Sequence, residues 1–203
     1  LGIGTGRVAI PLAARGVAVS GVDASADMVR VLATKAGAEP IAVTTGDMAS
    51  DLPPGPFALV FVVVNTFFNL TTAEAQQQCL HSVSAVLGDG GRFVIEAFVP
   101  EDEPATSSAV DVRSITVDRV VLSVSRSDHV DQTAMGQFVD ISPAGITMRP
   151  WQIRWATPAQ LDAAAAAAGL HLEARYGDWT GTSFDDHSPR HVSIYAKSEA
   201  VHG

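Results

Sequence analysis

Three glycines near the start of the chain and one aspartate form the first group of residues with a chemical use. Gly2, Gly4 and Gly6 stand directly before an apolar stretch with helical spacing. Glycines let the backbone turn tightly and approach a ligand closely, and the first turn of a helix presents unpaired N–H groups. Asp23 follows Gly6 by 17 residues, near the spacing of about 20 at which a carboxylate binds a ribose diol. The pattern predicts a nucleotide-like ligand, and a structural turn with an N-capping Asp23 is the alternative.

Three further motifs follow the glycine loop in order along the chain. They are GVDAS at 21–25, TGDM at 45–48 and LGDGGRF at 87–93. In the dinucleotide fingerprint G-x-G-x-x-G the third glycine comes one residue later than Gly6, so the loop departs from the NAD form. The ordered set resembles the motifs of class I S-adenosylmethionine (SAM)-dependent methyltransferases. An NAD-dependent oxidoreductase is the alternative within the enzymes.

The resemblance implies SAM as cofactor, S-adenosylhomocysteine as product, and a set of cofactor-binding residues. In the family, the acid of the second motif binds both ribose hydroxyls, which places that role on Asp23. The third motif implies that Asp47 accepts from the adenine amino group, with Met48 near the ring. Asn65, in the loop after an apolar strand, is expected to contact the cofactor. The implied cofactor-binding residues are therefore Gly2, Gly4, Gly6, Asp23, Ala24, Gly46, Asp47, Met48 and Asn65.

The methyl acceptor leaves a weaker trace in the sequence. Phe67 and Phe68 come shortly after Asn65. They could shape an apolar pocket for the acceptor, or they could simply pack the loop against the protein. Trp179 could likewise line the acceptor pocket or pack in the core. Methyl transfer is an in-line attack, for which an amine acceptor need only be neutral while a hydroxyl needs a base. The candidate bases are His129, His187 and His191. The sequence assigns no catalytic residue. Of the three histidines, His187 is the weak candidate for a catalytic base, because it lies in an acidic loop near the expected rim of the pocket.

Metal and disulfide chemistry are not expected. Asp185, Asp186 and His187 are adjacent in the chain, and adjacent residues rarely converge on one ion without distant partners. Cys79 is the single cysteine, which excludes an intramolecular disulfide and any zinc site with several cysteines.

Strands and helices alternate along most of the chain, and this predicts an α/β fold. The resemblance specifies a doubly wound, mostly parallel Rossmann-like sheet with an antiparallel C-terminal hairpin. Between the last central strand and the last helix, alternating apolar residues separated by turn residues predict a β-rich insertion or lid over 101–156. The expected helices are 8–14, 26–36, 72–87 and 159–168; the expected strands are 17–22, 41–45, 59–64, 92–98, 170–176 and 191–197, with 110–116, 120–125, 137–141 and 146–155 in the insertion.

The charge and the apolar runs of the chain indicate which classes of partner to expect. The chain has 203 residues and a formal net charge of −9, with 13 Lys and Arg against 22 Asp and Glu. Nucleic acid is therefore not expected as a partner. The longest apolar run, 59–64, is much shorter than the roughly 20 residues of a membrane span. We expect a cytoplasmic protein with a small-molecule acceptor and a homodimer contact through the insertion.

The resemblance places two features of the family before the first residue of this sequence. The family motif places an acid two residues before Gly2 and a central strand before the glycine loop, so residues 1–203 are expected to be one N-terminally truncated methyltransferase domain. Ala58 stands where the family often has an aspartate.

Taken together, the motifs and the composition predict transfer of a methyl group from SAM to an amine, hydroxyl or carboxyl of a small molecule. A non-catalytic SAM- or nucleoside-binding module or an inactive fragment is the alternative from another class.

Overall fold

A computed structural model of the chain describes residues 1–100 and 105–197. The first half alternates helices and strands in the predicted order, with ends shifted by a few residues. The elements are α1 (Ala9–Ala13), β1 (Ser20–Asp23), α2 (Ala26–Ala33), β2 (Ala42–Thr45), β3 (Phe57–Val62), a 3₁₀ helix (Thr66–Asn69), α3 (Ala73–Val86) and β4 (Leu87–Phe98). Glycines 88, 90 and 91 do not precede β4 but lie inside it, where the register with β3 jumps from Leu87 to Arg92.

Side chains fix where the main helices begin. Ser25 Oγ accepts from the Met28 N–H at 3.2 Å at the start of α2, and Thr72 Oγ1 accepts from Ala75 N–H at 3.1 Å at the start of α3. The alanine-rich helix α4 (Pro158–Ala167) starts with a reciprocal capping box between Thr157 and Gln160. Each cap satisfies N–H groups that have no partner inside the helix.

The described strands form one parallel pair, one mixed sheet and one antiparallel sheet, so the expected mostly parallel sheet is not confirmed. β1 and β2 form a parallel pair, and β3 and β4 form a second one. Antiparallel strands β10 (Arg190–Lys197) and β9 (Leu170–Tyr176) complete the order β3-β4-β10-β9. The reason is local: β9 returns directly into β10 through a loop, and only a long crossover makes a parallel neighbour. The predicted antiparallel C-terminal hairpin is therefore present.

A separate four-stranded antiparallel sheet follows β4. Its strands β5 (Thr106–Ile115), β6 (Val120–Asp128), β7 (Thr133–Ser142) and β8 (Gly145–Arg154) pair in chain order. We call this sheet the meander. At the start of the predicted insertion, residues 101–104 lie outside the described residues, and residues 106–108 belong to β5 because each of them pairs with a residue of β6.

The chain before α1 joins the two parallel pairs. Ile3 N–H donates to Val22 O of β1 at 3.0 Å, and the Leu1 nitrogen donates to Phe61 O of β3 at 2.7 Å. Beside this bridge, a cavity of about 370 Å³ separates β1 from β3. These two hydrogen bonds anchor the start of the glycine loop to β1 on one side and to β3 on the other.

The hydrophobic core lies under β3, β4 and β10 and is capped by α3 and α4. Its largest buried side chains include Phe67, Phe68, Phe93 and Tyr195. A row of aromatic contacts runs Phe68–Phe98–Trp155 with centroid distances of 5.1 and 6.4 Å. This row ties the 3₁₀ helix to the end of the meander.

A buried amide adds a polar link to the same junction. Gln76 of α3 is 4% exposed. Its Nε2 donates to Leu70 O at 3.0 Å and to Arg154 O at 2.7 Å, and its Oε1 accepts from the Arg154 guanidinium at 3.0 Å. The two contacts with Arg154 span 78 residues, and the third reaches Leu70 in the loop after β3, so Gln76 fixes the meander against that loop.

Candidate active site

A cleft of about 380 Å³ opens at the carboxyl ends of β1 and β2. Ligands of open α/β sheets bind at this edge, where loops leave the strands. Five of the predicted cofactor residues line it: Gly2, Asp23, Ala24, Asp47 and Met48. The opposite wall comes from the loop after β3 and the start of α3, through Thr66, Asn69, Leu70, Thr71 and Ala75. Residues that sequence reasoning linked by motif order are thus brought together in space.

The glycine loop needs its glycines for different reasons. Gly2, Gly4 and Gly6 have φ of 60°, 57° and 79°, a region that side-chain-bearing residues rarely adopt. A Cβ on Gly2 would lie 2.4 Å from Thr66 Cγ2, whereas one on Gly6 would lie 2.3 Å from Leu32 Cδ1 of α2. Gly2 therefore allows the loop to touch the far wall of the cleft, and Gly6 lets it pack on α2 rather than line the cleft.

Asp23 holds the glycine loop to the end of β1. Its Oδ2 accepts the Gly4 N–H at 2.7 Å, and its Oδ1 accepts the Ser25 N–H at 2.9 Å. A carboxylate offers about four acceptor sites, so both oxygens keep capacity for hydroxyl donors. The structure thus gives Asp23 a loop-fixing contact that the sequence motif did not indicate.

Asp47 belongs to a tight turn after β2. Its Oδ1 accepts the Ala49 N–H at 2.8 Å, and its own N–H donates to Asp51 Oδ2 at 2.8 Å. A Cβ on Gly46 would lie 2.6 Å from Asp51 Cβ. Asp51 was missed by sequence reasoning, although two aspartates four residues apart around a turn are a local signal for such reciprocal capping.

The loop after β3 leaves the strand with two left-handed residues, Val64 and Asn65, at φ of 55° and 62°. Asn65 Oδ1 accepts the Phe98 N–H at 2.8 Å, and the cleft is lined by its neighbours Thr66 and Asn69. Glu96 Oε2 accepts the Val64 N–H at 2.9 Å. Sequence reasoning missed Glu96 because no local pattern links it to a loop about 30 residues earlier.

The predicted acceptor residues are separated by the fold. Phe67 and Phe68 are fully buried in the core, which favours packing over an exposed acceptor wall. Trp179 is 60% exposed on the loop between β9 and β10. His187 is exposed on the same loop, its N–H donating to Asp185 Oδ1 at 2.9 Å. The loop stands at the edge where β4 ends, because Val99 N–H donates to Pro189 O at 2.9 Å.

The other two histidines point into packed surroundings. His129 contacts Trp155 with ring centroids 5.0 Å apart. His191 is fully buried, with Nδ1 2.8 Å from Ser193 Oγ, which also accepts from Arg175 Nε at 2.8 Å. Burial lowers the pKa of His191 to about 4, and the nearby Arg175 charge acts in the same direction. His191 is therefore neutral at neutral pH.

The described residues contain neither a cluster of metal ligands nor a helix that could span a membrane. Within 1–100 and 105–197, three or more His, Cys, Asp or Glu side chains nowhere gather as a metal site would require. In the same ranges, helices long and apolar enough to cross a membrane are absent.

Comparison with known proteins identifies the family. Residues 1–91 match a family model described as a methyltransferase domain. The structure superposes on the CcbJ methyltransferase of Streptomyces caelestis with a TM-score of 0.90 and 34% identity, covering 98% of this chain and 82% of that one. The cypemycin N-terminal methyltransferase of a Streptomyces species is 27% identical over 188 residues, 91% of this chain and 76% of that protein.

The chain belongs to the class I SAM-dependent methyltransferase family. A SAM-bound amino pentose methyltransferase from Micromonospora echinaspora shares the fold, with a TM-score of 0.73, 23% identity and coverage of 97% and 81% of the two chains. The protein is accordingly a SAM-dependent methyltransferase with a Rossmann-like α/β fold and SAM as its cofactor. The oxidoreductase alternative is thereby excluded.

The residues of the cleft fit this cofactor. A volume of about 380 Å³ lies within the range of about 300–1,000 Å³ typical of small-molecule sites. The cleft offers two carboxylates, on Asp23 and Asp47, for hydroxyl and amino donors, and the missing Cβ of Gly2 leaves the backbone open to close approach.

The buried His191 predicts how the stability of the methyltransferase depends on pH. Its pKa is about 4 in the folded chain against 6.5 for the ordinary side chain, so the unfolded chain binds more protons between these values. The free energy of unfolding is expected to fall, by on the order of 3 kcal/mol at most, as pH decreases from 6.5 to 4.

Urea unfolding across this pH range measures the effect. His191→Gln, which cannot titrate, is expected to flatten the histidine part of the curve, and His171→Gln, on exposed strand β9, is the matched control. Equal pH slopes for wild type and His191→Gln contradict the assignment.

Proposed function

We propose that this methyltransferase transfers the methyl group of SAM to the neutral amine of a small molecule. Two proteins that share the fold have a nitrogen acceptor in their names, a sugar N-methyltransferase from Streptoalloteichus and a glycopeptide N-methyltransferase, and the similar cypemycin methyltransferase is named for an N-terminal site. They support the nitrogen acceptor without identifying the molecule.

The observation that carries the proposal is the chemistry of the cleft wall. Among the described residues lining the cleft, the titratable side chains are Asp23 and Asp47, and each already accepts backbone N–H groups. His191 is buried, and the His129 ring packs against Trp155 at a tilt of 58°. The lone pair of a neutral amine is nucleophilic enough to attack without a base, whereas a neutral hydroxyl is a weak nucleophile and needs one. The cleft therefore suits an amine better than an alcohol.

The cofactor roles follow from the positions in the cleft. In this proposal Asp23 binds the ribose hydroxyls, Asp47 accepts from the adenine amino group, and the mostly buried Met48 supports the ring. Gly2 and Gly4 bring backbone close to the ligand, beside Ala24. When bound, SAM supplies a methyl group activated by a sulfonium charge. The part of the protein is to hold both reactants in line and to limit water.

The remaining predicted residues do not line the cleft, and in this proposal they act on it indirectly. Gly6 and Gly46 shape the turns that carry Gly4 and Asp47, and Asn65 fixes the acceptor-side loop through Phe98. His187 and Trp179 stand on the loop at the rim, where an acceptor would enter. Phe67 and Phe68 support the acceptor-side wall from behind.

We also propose that residues 1–203 form one domain in which 101–156 act as a lid. The meander ends beside the acceptor-side loop, where Gln76 binds the Arg154 carbonyl and guanidinium. Movement of this sheet would therefore change access to the cleft wall formed by Thr66 and Asn69.

The outer face of the meander supports a homodimer. Paired residues on one face of the four strands are apolar and exposed, Val110 by 67%, Ile146 by 69% and Met148 by 59%. An apolar face of this extent usually marks an interaction surface. A second copy presents the same face and fits the two-fold symmetry of most homo-oligomers.

Sedimentation of the purified chain tests this dimer. Met148→Glu is expected to convert the dimer to a monomer, because it places a charge in an apolar interface. Thr147→Glu, exposed on the opposite face of the same strand, is the control and is expected to remain dimeric. A wild-type protein that sediments as a monomer at micromolar concentration contradicts the dimer.

The ribose assignment predicts a loss of cofactor binding in Asp23→Ala. Loss of charged hydrogen bonds is expected to weaken binding of S-adenosylhomocysteine at least tenfold, at about 1.5–3 kcal/mol for each bond. Calorimetric titration measures it. Asp27→Ala, an exposed aspartate paired with Arg30 on α2, is expected to bind like wild type. Unchanged affinity in Asp23→Ala would mean that the assignment is wrong.

The acceptor class is tested by mass spectrometry of reactions with SAM and matched acceptors. An amino sugar, a peptide with a free N-terminus, and the corresponding alcohols and carboxylic acids form the panel. Methylation is expected on nitrogen alone, with a rate that rises as pH approaches the pKa of the amine. Methylation confined to oxygen overturns the amine proposal. Tight binding of S-adenosylhomocysteine without transfer to any acceptor favours a binding module.

A further inference from the structure

The loop after β3 is held in a conformation that its sequence disfavours. Val64 and Asn65 both lie in the left-handed region, at φ of 55° and 62°. Asparagine tolerates this region, but valine, branched at Cβ, does so only when its surroundings enforce it. The Val64 side chain is 54% exposed, so burial of that side chain is not what enforces the conformation.

The enforcing contacts come from the neighbouring strand β4. Glu96 Oε2 accepts the Val64 N–H at 2.9 Å, and Glu96 O accepts the Asn65 N–H at 3.2 Å. Asn65 Oδ1 in turn accepts the Phe98 N–H at 2.8 Å. Of these three bonds, the one to Val64 depends on the side chain of Glu96. A carboxylate acceptor also forms stronger hydrogen bonds than a neutral one.

The conformation decides where the cleft wall stands. Thr66 follows the left-handed pair directly, and its Cγ2 lies 2.4 Å from where a Gly2 Cβ would be. Thr66, Asn69 and Leu70 then line the cleft opposite Asp23 and Asp47. A relaxed Val64, with negative φ, would redirect the chain just before Thr66 and shift this wall relative to the glycine loop.

We propose that Glu96 is a positioning residue for the cofactor cleft. It acts through Val64 rather than by touching the cofactor: its carboxylate holds the Val64 N–H and keeps the loop 63–70 in the left-handed path that sets Thr66 against Gly2. The role required is that of a hydrogen-bond acceptor. It is independent of which acceptor molecule the enzyme methylates.

Binding of S-adenosylhomocysteine by calorimetry tests the proposal without turnover. Glu96→Ala is expected to raise Kd about tenfold, the order of one charge-assisted hydrogen bond. Glu96→Gln, whose amide oxygen still accepts the Val64 N–H, is expected to stay within about threefold of wild type. Glu173→Ala, which removes an exposed glutamate paired with Arg92, is the control. A Glu96→Ala protein that binds like wild type overturns the proposal.

A double-mutant cycle separates positioning from general weakening. Glycine adopts the left-handed conformation at no steric cost, so in a Val64→Gly background the carboxylate is no longer needed to enforce it. Glu96→Ala is then expected to change Kd by no more than about threefold, in contrast to about tenfold alone. An equal effect in both backgrounds overturns the positioning role.

Hydrogen exchange of the wild-type protein, followed by NMR, keeps the test open if Glu96→Ala does not fold. The Val64 amide is expected to exchange at least about tenfold more slowly than an unstructured amide, although its residue is exposed, because the Glu96 carboxylate accepts its proton. Exchange at the unstructured rate overturns the proposal.

Discussion

The contact between the Asp23 carboxylate and the Gly4 N–H is the interaction on which the rest of the site depends. It joins the end of β1 to the glycine loop across 19 residues, and its second oxygen starts the turn into α2 through Ser25. Both bonds are charge-assisted, so they hold more firmly than neutral ones. Because the loop must adopt left-handed backbone at Gly2, Gly4 and Gly6, it needs such an external anchor to keep one conformation.

The far wall of the cleft is built on the same plan. A backbone segment in a disfavoured conformation, here Val64 and Asn65, is held by polar side chains and meets the glycine loop at Thr66. Two loops that are each strained or flexible alone thus form a narrow site because each is tied to a strand. The strands themselves are rigid, since β3 and β4 lie over a core with fully buried Phe67, Phe68 and Phe93. Rigid strands with tethered loops allow the preorganisation that an in-line transfer requires.

Behind the site, a polar network keeps the last strands and α4 together. Arg175 of β9 donates to Asp162 of α4 at 2.5 Å, and the Tyr195 hydroxyl donates to the same carboxylate oxygen at 2.8 Å. The Arg175 guanidinium also lies 5.4 Å from the Phe184 ring. His191 lies buried beside this network and is neutral mainly because burial disfavours its charged form; the Arg175 charge also lowers its pKa, and Asp162 opposes this. This histidine, near the start of the inner strand β10, is thereby a packing residue rather than an exposed base.

The sequence by itself determined the order of the elements and the near wall of the cleft. Caps at Ser25, Thr72 and Thr157, and apolar periodicity, act within a few residues, so they can be interpreted without knowing the fold. The glycine loop, Asp23 and Asp47 could be singled out in the same way, from motif order and from the resemblance to the methyltransferase family, and their roles toward the cofactor stay proposals. Tertiary structure alone decided the burial of His191 and Phe67 and the contact of Glu96 with Val64. These depend on segments that meet across tens of residues, and the physical reason is that sheet pairing and side-chain burial are set by the whole packed core, which no local pattern encodes.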